Sequence, residues 1–95
     1  MTKYEIVNYL KEHKSEFKEK YGVEKIGLFG SFARDEASSD SDIDIFVDMK
    51  VKFDNVMGLK YNIEESLNKK VDLVTKHKNI KPILLDMINK DIIYA

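Results

Sequence analysis

The most restrictive feature of the sequence is the alternation of side chains between Asp42 and Asp48. One set of alternate positions is apolar and the other is mostly acidic: Ile43, Ile45 and Val47 against Asp42, Asp44, Phe46 and Asp48. Since successive side chains of a β-strand point to opposite faces, this pattern predicts a strand with one face in the core and carboxylates on the other.

The carboxylates of the chain are concentrated around this strand. Arg34–Asp48 holds one arginine and six acidic residues, whereas the whole chain has a formal net charge of −1. Grouped carboxylates repel one another and are tolerated when a cation binds them or when water solvates them. The rest of the chain is slightly basic but has no dense basic stripe, so double-stranded nucleic acid is not an expected partner.

Length and composition exclude several classes of protein. The 95 residues suffice for one domain, 1–95, with one core. The absence of cysteine excludes a disulfide framework and a thiolate metal site. No apolar run is long enough to cross a bilayer and the first residues lack the apolar region of a signal peptide, so we expect a cytoplasmic protein with no membrane partner.

Periodicity and capping signals predict the remaining elements. The expected elements are a helix from Thr2 to about Lys20, a strand over Val23–Phe29, a short helical turn over Phe32–Ala37, a polar loop over Ser38–Ser41, the strand Asp42–Asp48, a helix over Phe53–Leu67, a strand over Val71–Thr75, a helix from Pro82 to about Asn89 and an extended tail or edge strand over Asp91–Ala95. The fold class is therefore α/β (α+β), in the order α-β-α-β-α-β-α. We expect a small mixed sheet flanked by helices.

Two features before and within the acidic strand point to phosphate and metal chemistry. Gly30 and Ser31 follow a buried strand and open a helical turn, where glycine permits close approach of a ligand and free N–H groups favour phosphate oxygens. Asp42 and Asp44 are two residues apart on a strand, so their carboxylates project from one face and could hold a hard divalent cation such as Mg²⁺.

The expected topology brings a third carboxylate to the same edge. If strand Val23–Phe29 runs antiparallel to Asp42–Asp48, Gly30 lies beside the first aspartates. A crossover helix then returns strand Val71–Thr75 parallel to Asp42–Asp48, which places Asp72 at the same end. Three carboxylates beside a phosphate-binding turn suit two-metal phosphoryl transfer.

The segments GSFAR, SDIDIFV and VDLV resemble, in order and spacing, the minimal nucleotidyltransferase domain of the DNA-polymerase-β-like superfamily. The nearest likeness is to the MntA-type antitoxins that accompany HEPN-domain ribonuclease toxins, and it extends over essentially the whole chain. It implies that Gly30 and Ser31 bind the triphosphate of ATP. It also implies that Asp42, Asp44 and Asp72 are the catalytic metal ligands for two Mg²⁺ ions, with Mn²⁺ as an alternative.

The resemblance implies transfer of AMP from ATP to a tyrosine of a partner HEPN toxin. Two other functions stay open: an antitoxin that only binds and occludes its toxin, and a nucleotidyltransferase acting on a small molecule such as an antibiotic. Arg34, the only arginine, suits a phosphate contact or an acid that braces the loop equally well. Asp35 departs from the family, in which many members have glycine after GSFAR. The lysines around the last strand, Lys69, Lys70, Lys76, Lys78 and Lys81, are interpreted as a solvated rim.

Overall fold

Helices and strands alternate along the chain in the computed structural model, which describes residues 1–95. They are α1 (Lys3–Tyr21), β1 (Val23–Phe29), α2 (Gly30–Ala33), β2 (Ile43–Met49), α3 (Phe53–Leu67), β3 (Val71–Thr75), α4 (Pro82–Asp91) and β4 (Ile93–Tyr94). The predicted order and the bounds of β1, α3 and β3 are confirmed. No helix has the length and apolar character needed to cross a membrane.

The short helix α2 differs from its prediction at both ends. It begins at Gly30, where the backbone has φ +77°, and stops at Ala33, four residues earlier than expected. The early stop follows from Asp35, whose φ of +59° is left-handed and cannot continue a right-handed helix. Glycine, the residue that the resemblance leads one to expect here, would adopt positive φ without a Cβ penalty.

Local capping sets the bounds of α1. The Thr2 hydroxyl accepts a hydrogen bond from the Glu5 backbone N–H at 3.3 Å, and the Glu5 carboxylate accepts one from the Thr2 N–H at 3.3 Å. Gly22 ends the helix with a left-handed φ of +73°. The predicted capping box is therefore present, and it fixes where the chain enters the first helix.

The four strands form one mixed sheet in the order β3-β2-β1-β4. β1 pairs antiparallel with both β2 and β4, while β2 and β3 are parallel. The parallel pair is joined by α3, as the predicted crossover requires. The C-terminal tail thus forms a short edge strand beside β1.

One face of the sheet carries the main core. Its residues pack against α1 and α3, and the fully buried members include Ile26, Leu28, Ile43, Ile45 and Val47 from the sheet with Ile6, Leu10, Phe17, Leu59 and Ile63 from the helices. In α3 the helical spacing predicts a core-facing stripe of Phe53, Val56, Met57, Ile63 and Leu67, and this prediction is partly wrong. Phe53 is 77 % exposed because it is the first residue of the helix, and Leu59 is buried instead.

The helix α4 lies over the opposite face, which carries the acidic positions of β2. A Cβ at Gly27 of β1 would come within 2.8 Å of the Ile92 side chain, so this glycine admits the end of α4 to the sheet. Phe46 shares that face and is only 3 % exposed. The sequence pattern predicts that Ile80, Leu84, Leu85 and Ile88 face the core; Ile88 is buried, while the other three are half-buried.

Candidate active site

Three carboxylates lie at the end of the sheet where β2 and β3 begin. Asp44 is the register partner of Asp72 in the parallel pair, and of Phe29 in the antiparallel pair. Asp42 lies immediately before β2. Because register partners share a face of the sheet, Asp44 and Asp72 project side by side from the face opposite the main core. Asp72 is exposed rather than sealed in the core.

The backbone of Gly30 lies against the carboxyl group of Asp44. A Cβ built at Gly30 would be 2.9 Å from Asp44 Cγ, closer than real Cβ atoms approach, and its left-handed φ of +77° already disfavours a side chain. Glycine is needed here for both reasons. The structure thus joins the turn after β1 to the acidic strand.

The pKa of Asp44 is raised above its ordinary value. Burial of the carboxyl group is the largest cause, followed by repulsion from the charges of Asp72 and then Asp42, while Arg34 acts in the opposite direction. None of the three aspartates takes part in an ion pair within the protein. The cluster is therefore a concentration of uncompensated negative charge, which favours a bound cation.

The three carboxylates have the chemistry that magnesium requires, but they do not surround a metal position. All three side chains offer carboxylate oxygens, the ligands that Mg²⁺ prefers. No three His, Cys, Asp or Glu side chains are gathered closely enough to hold a metal ion as they stand. Asp42 and Asp72 are exposed, so rotation of their side chains is open to them.

A cleft of about 270 Å³ adjoins Asp44. One wall belongs to the turn after β1 and to β2, and the other belongs to α4; the lining includes Gly30, Ser31, Arg34, Asp44, Leu84 and Met87. The first wall carries polar groups beside Phe29, and the second wall is apolar except for Asp91. A ligand with a charged end and a flat apolar end would match both walls.

Arg34 braces this cleft. Its Nη1 donates to Asp91 Oδ2 at 2.8 Å and its Nε donates to Glu36 Oε2 at 3.1 Å. These hydrogen bonds, first to Asp91 and then to Glu36, raise the pKa of Arg34. The side chain thus connects the end of α4 to the turn after α2, and its Nη2 keeps its hydrogen-bonding capacity.

Sequence reasoning missed the role of Lys69. The sequence pattern predicts that Lys69 is part of a solvated rim of lysines. In the structure, its ammonium donates to the backbone carbonyl oxygens of Ser41 at 2.8 Å and Ser39 at 3.0 Å. Lys76 pairs with Asp48 at 3.7 Å. Nothing in the sequence distinguishes Lys69 from Lys70, because the contact depends on how β3 returns beside the loop before β2.

Comparison with known proteins agrees with this geometry. The family model described as nucleotidyltransferase domain matches residues 10–95. The chain belongs to the nucleotidyltransferase domain family. The protein adenylyltransferase MntA of Thermococcus cleftensis is 37 % identical over 100 residues, covering 100 % of this chain and 97 % of the relative. A Methanocaldococcus jannaschii protein, provisionally named a protein adenylyltransferase, is 40 % identical over 92 residues, covering 95 % and 94 %.

Solved structures of nucleotidyltransferases share the fold. A protein provisionally described as a minimal nucleotidyltransferase superposes with a TM-score of 0.78 at 27 % identity, covering 98 % of this chain and 95 % of the other. The MNT antitoxin in complex with a tri-AMPylated HEPN toxin of Shewanella oneidensis superposes with a TM-score of 0.69 at 20 % identity, covering 98 % and 71 %. The chain is thus an MntA homologue with the minimal nucleotidyltransferase fold.

Proposed function

We propose that this protein is a magnesium-dependent protein adenylyltransferase and an antitoxin, which transfers AMP from ATP to a tyrosine hydroxyl of a HEPN-domain toxin. The observation that carries the proposal is the register of Asp44 with Asp72 beside the backbone of Gly30. The likeness to MntA proteins over the whole chain supports AMP as the transferred group and a protein as its acceptor. Residues 1–95 act as one catalytic domain in this proposal.

The turn after β1 binds the triphosphate in this proposal. Gly30 leaves room for phosphate oxygens at the backbone, and Ser31 supplies a hydroxyl in the same cleft. Arg34 is the only cationic residue that lines the cleft. Its planar guanidinium can donate to a phosphate through Nη2, or by exchanging one of its two carboxylate partners.

Asp42, Asp44 and Asp72 would hold the magnesium ions. Bound there, the metal would neutralise phosphate charge and lower the pKa of the attacking hydroxyl. The tyrosine hydroxyl gives its proton to solvent and its oxygen attacks the α-phosphorus of ATP, while the bond from that phosphorus to the oxygen shared with the β-phosphate breaks, so that pyrophosphate leaves and AMP stays on the tyrosine. The protein's own contribution is to orient the two reactants and to place its fixed charges.

The test is transfer of label from ATP to the HEPN toxin of the same organism. With Mg²⁺, label in the α-phosphate of ATP should appear on toxin tyrosine and label in the γ-phosphate should not. Asp44→Asn should abolish the transfer while the complex still forms. Asp48→Asn, which removes the same charge from the same face of β2, should retain it.

The other functions give different results. If Asp44→Asn neutralises the toxin as well as the wild type does, the antitoxin acts by occlusion. Pyrophosphate release that needs a small molecule such as an aminoglycoside, and no protein, would show an antibiotic-modifying enzyme. Absence of α-label transfer from a folded wild type with its toxin, under both Mg²⁺ and Mn²⁺, would overturn the proposed activity.

A further inference from the structure

Lys69 lies just before β3 and hydrogen-bonds to the loop that leads into Asp42, the first aspartate of the site. Its ammonium lies 2.8 Å from the carbonyl oxygen of Ser41 and 3.0 Å from that of Ser39. Ser41 is the residue directly before Asp42. Hydrogen bonds from a charged donor are about twice as strong as neutral ones, so this one side chain ties the loop to the start of β3.

The same ammonium also contacts the phosphate-binding side of the site. It lies 5.6 Å from the centroid of the Phe32 ring, within the range of a cation–π interaction. Phe32 belongs to α2, two residues after Gly30, and is 5 % exposed. Lys69 therefore contacts the loop before β2, which leads into Asp42, and the helix after β1, which begins at Gly30.

The loop depends on such an outside contact because its own bonds are local. The Ser38 N–H donates to Ser41 Oγ at 2.9 Å, and the Ser41 N–H donates to the Ser38 carbonyl at 3.1 Å. These bonds close a turn but do not attach it to the sheet. Attachment begins at Ile43, whose N–H donates to the Lys70 carbonyl at 2.9 Å. Asp42 lies between this turn and Ile43. On its N-terminal side, it is held by the hydrogen bonds that Lys69 donates to the loop.

We propose that Lys69 is a positioning residue, which orients Asp42 toward Asp44 and Asp72 and so sets the affinity of the site for its divalent cation. This inference rests on the proposed function. Without the ammonium, both carbonyl groups can turn to water and the loop moves independently of β3. Charge alone predicts the opposite effect, since removing a cation near three carboxylates strengthens cation binding.

The experiment compares Lys69→Met with Lys70→Met, which removes the same charge from the next residue without breaking a side-chain hydrogen bond. Mn²⁺ binding is measured by titration calorimetry. We expect Lys69→Met to weaken Mn²⁺ binding about tenfold, as loss of a group that orients a metal ligand does, and Lys70→Met to leave it unchanged or slightly tighter. Lys69→Arg should retain most of the affinity.

Amide hydrogen exchange gives a readout that needs no metal. Exchange at residues 38–42 should be faster in Lys69→Met and Lys69→Gln than in the wild type and Lys70→Met. Equal Mn²⁺ affinity and equal exchange in folded Lys69 variants would overturn this inference alone. A folded wild type that binds no Mn²⁺ would instead overturn the proposed function on which it rests.

Discussion

Replacing Asp44 by asparagine should stabilise the protein in the absence of metal. Asp44 and Asp72 are register partners on neighbouring parallel strands, and neither has a cationic partner. Burial and the two neighbouring carboxylates raise the pKa of Asp44. Asparagine has nearly the same shape and carries no charge, so Asp44→Asn removes the repulsion without opening a cavity.

The expected gain follows from the geometry of the pair. Like charges directly opposite each other in a sheet are destabilising by about 0.2–1 kcal/mol. Since Asp44 also faces Asp42 and is partly buried, we expect the upper part of that range, about 0.5–1 kcal/mol. For a domain of this size that corresponds to a rise of roughly 3–6 °C in melting temperature.

The gain should depend on pH in a defined direction. Because the pKa of Asp44 is raised on folding, the folded state keeps this proton to a higher pH than the unfolded state does. The contribution of Asp44 to wild-type stability is therefore most favourable below the unfolded pKa and is lost as the pH rises through the folded pKa. The advantage of Asp44→Asn should be complete near neutral pH and should shrink as the pH falls below the folded pKa.

Thermal unfolding followed by circular dichroism in EDTA at several pH values measures this effect. Asp48→Asn is the matched control, since Asp48 has Lys76 at 3.7 Å and its replacement should give no gain. A lower melting temperature for Asp44→Asn at neutral pH, or a gain of equal size at every pH, would refute the reasoning. Added Mg²⁺ should stabilise the wild type more than Asp44→Asn.

Two further substitutions test the turns beside the site. Gly30→Ala should abolish AMP transfer in a protein that still folds by circular dichroism, because its Cβ would lie 2.9 Å from Asp44 Cγ; retained transfer would count against the close approach. Asp35→Ala should lower the free energy of unfolding, measured in urea, by about 1 kcal/mol, because alanine tolerates left-handed backbone poorly. Asp35→Asn should lower it less. Equal losses for the two variants would assign the effect to the ion pair between Asp35 and Lys3 instead.

Periodicity was sufficient to predict most of the fold. The alternation around Asp44 predicted β2 within one residue, and the crossover length between β2 and β3 predicted their parallel pairing. The parallel register then placed Asp72 beside Asp44. These predictions succeed because they depend on the spacing of apolar residues and on the length of the connecting segments. Both can be counted directly in the sequence.

The features that the sequence did not specify depend on tertiary contacts. The bounds of α2 depend on positive φ at Gly30 and Asp35, and propensity gives no sign of the second. The burial of Phe46 depends on α4 lying over the acidic face of β2, and the contacts of Lys69 depend on a loop about 30 residues earlier in the chain. The pairing of Arg34 with Asp91 likewise joins residues far apart in sequence.

The most direct test of the site is the location of bound metal in crystals of the protein grown with Mn²⁺ and a non-hydrolysable ATP analogue. We expect anomalous peaks within coordination distance of the carboxylates of Asp42, Asp44 and Asp72. The analogue's phosphates should lie at Gly30 and Ser31. Manganese bound elsewhere, or an Asp72 carboxylate that faces away from metal and nucleotide, would contradict it.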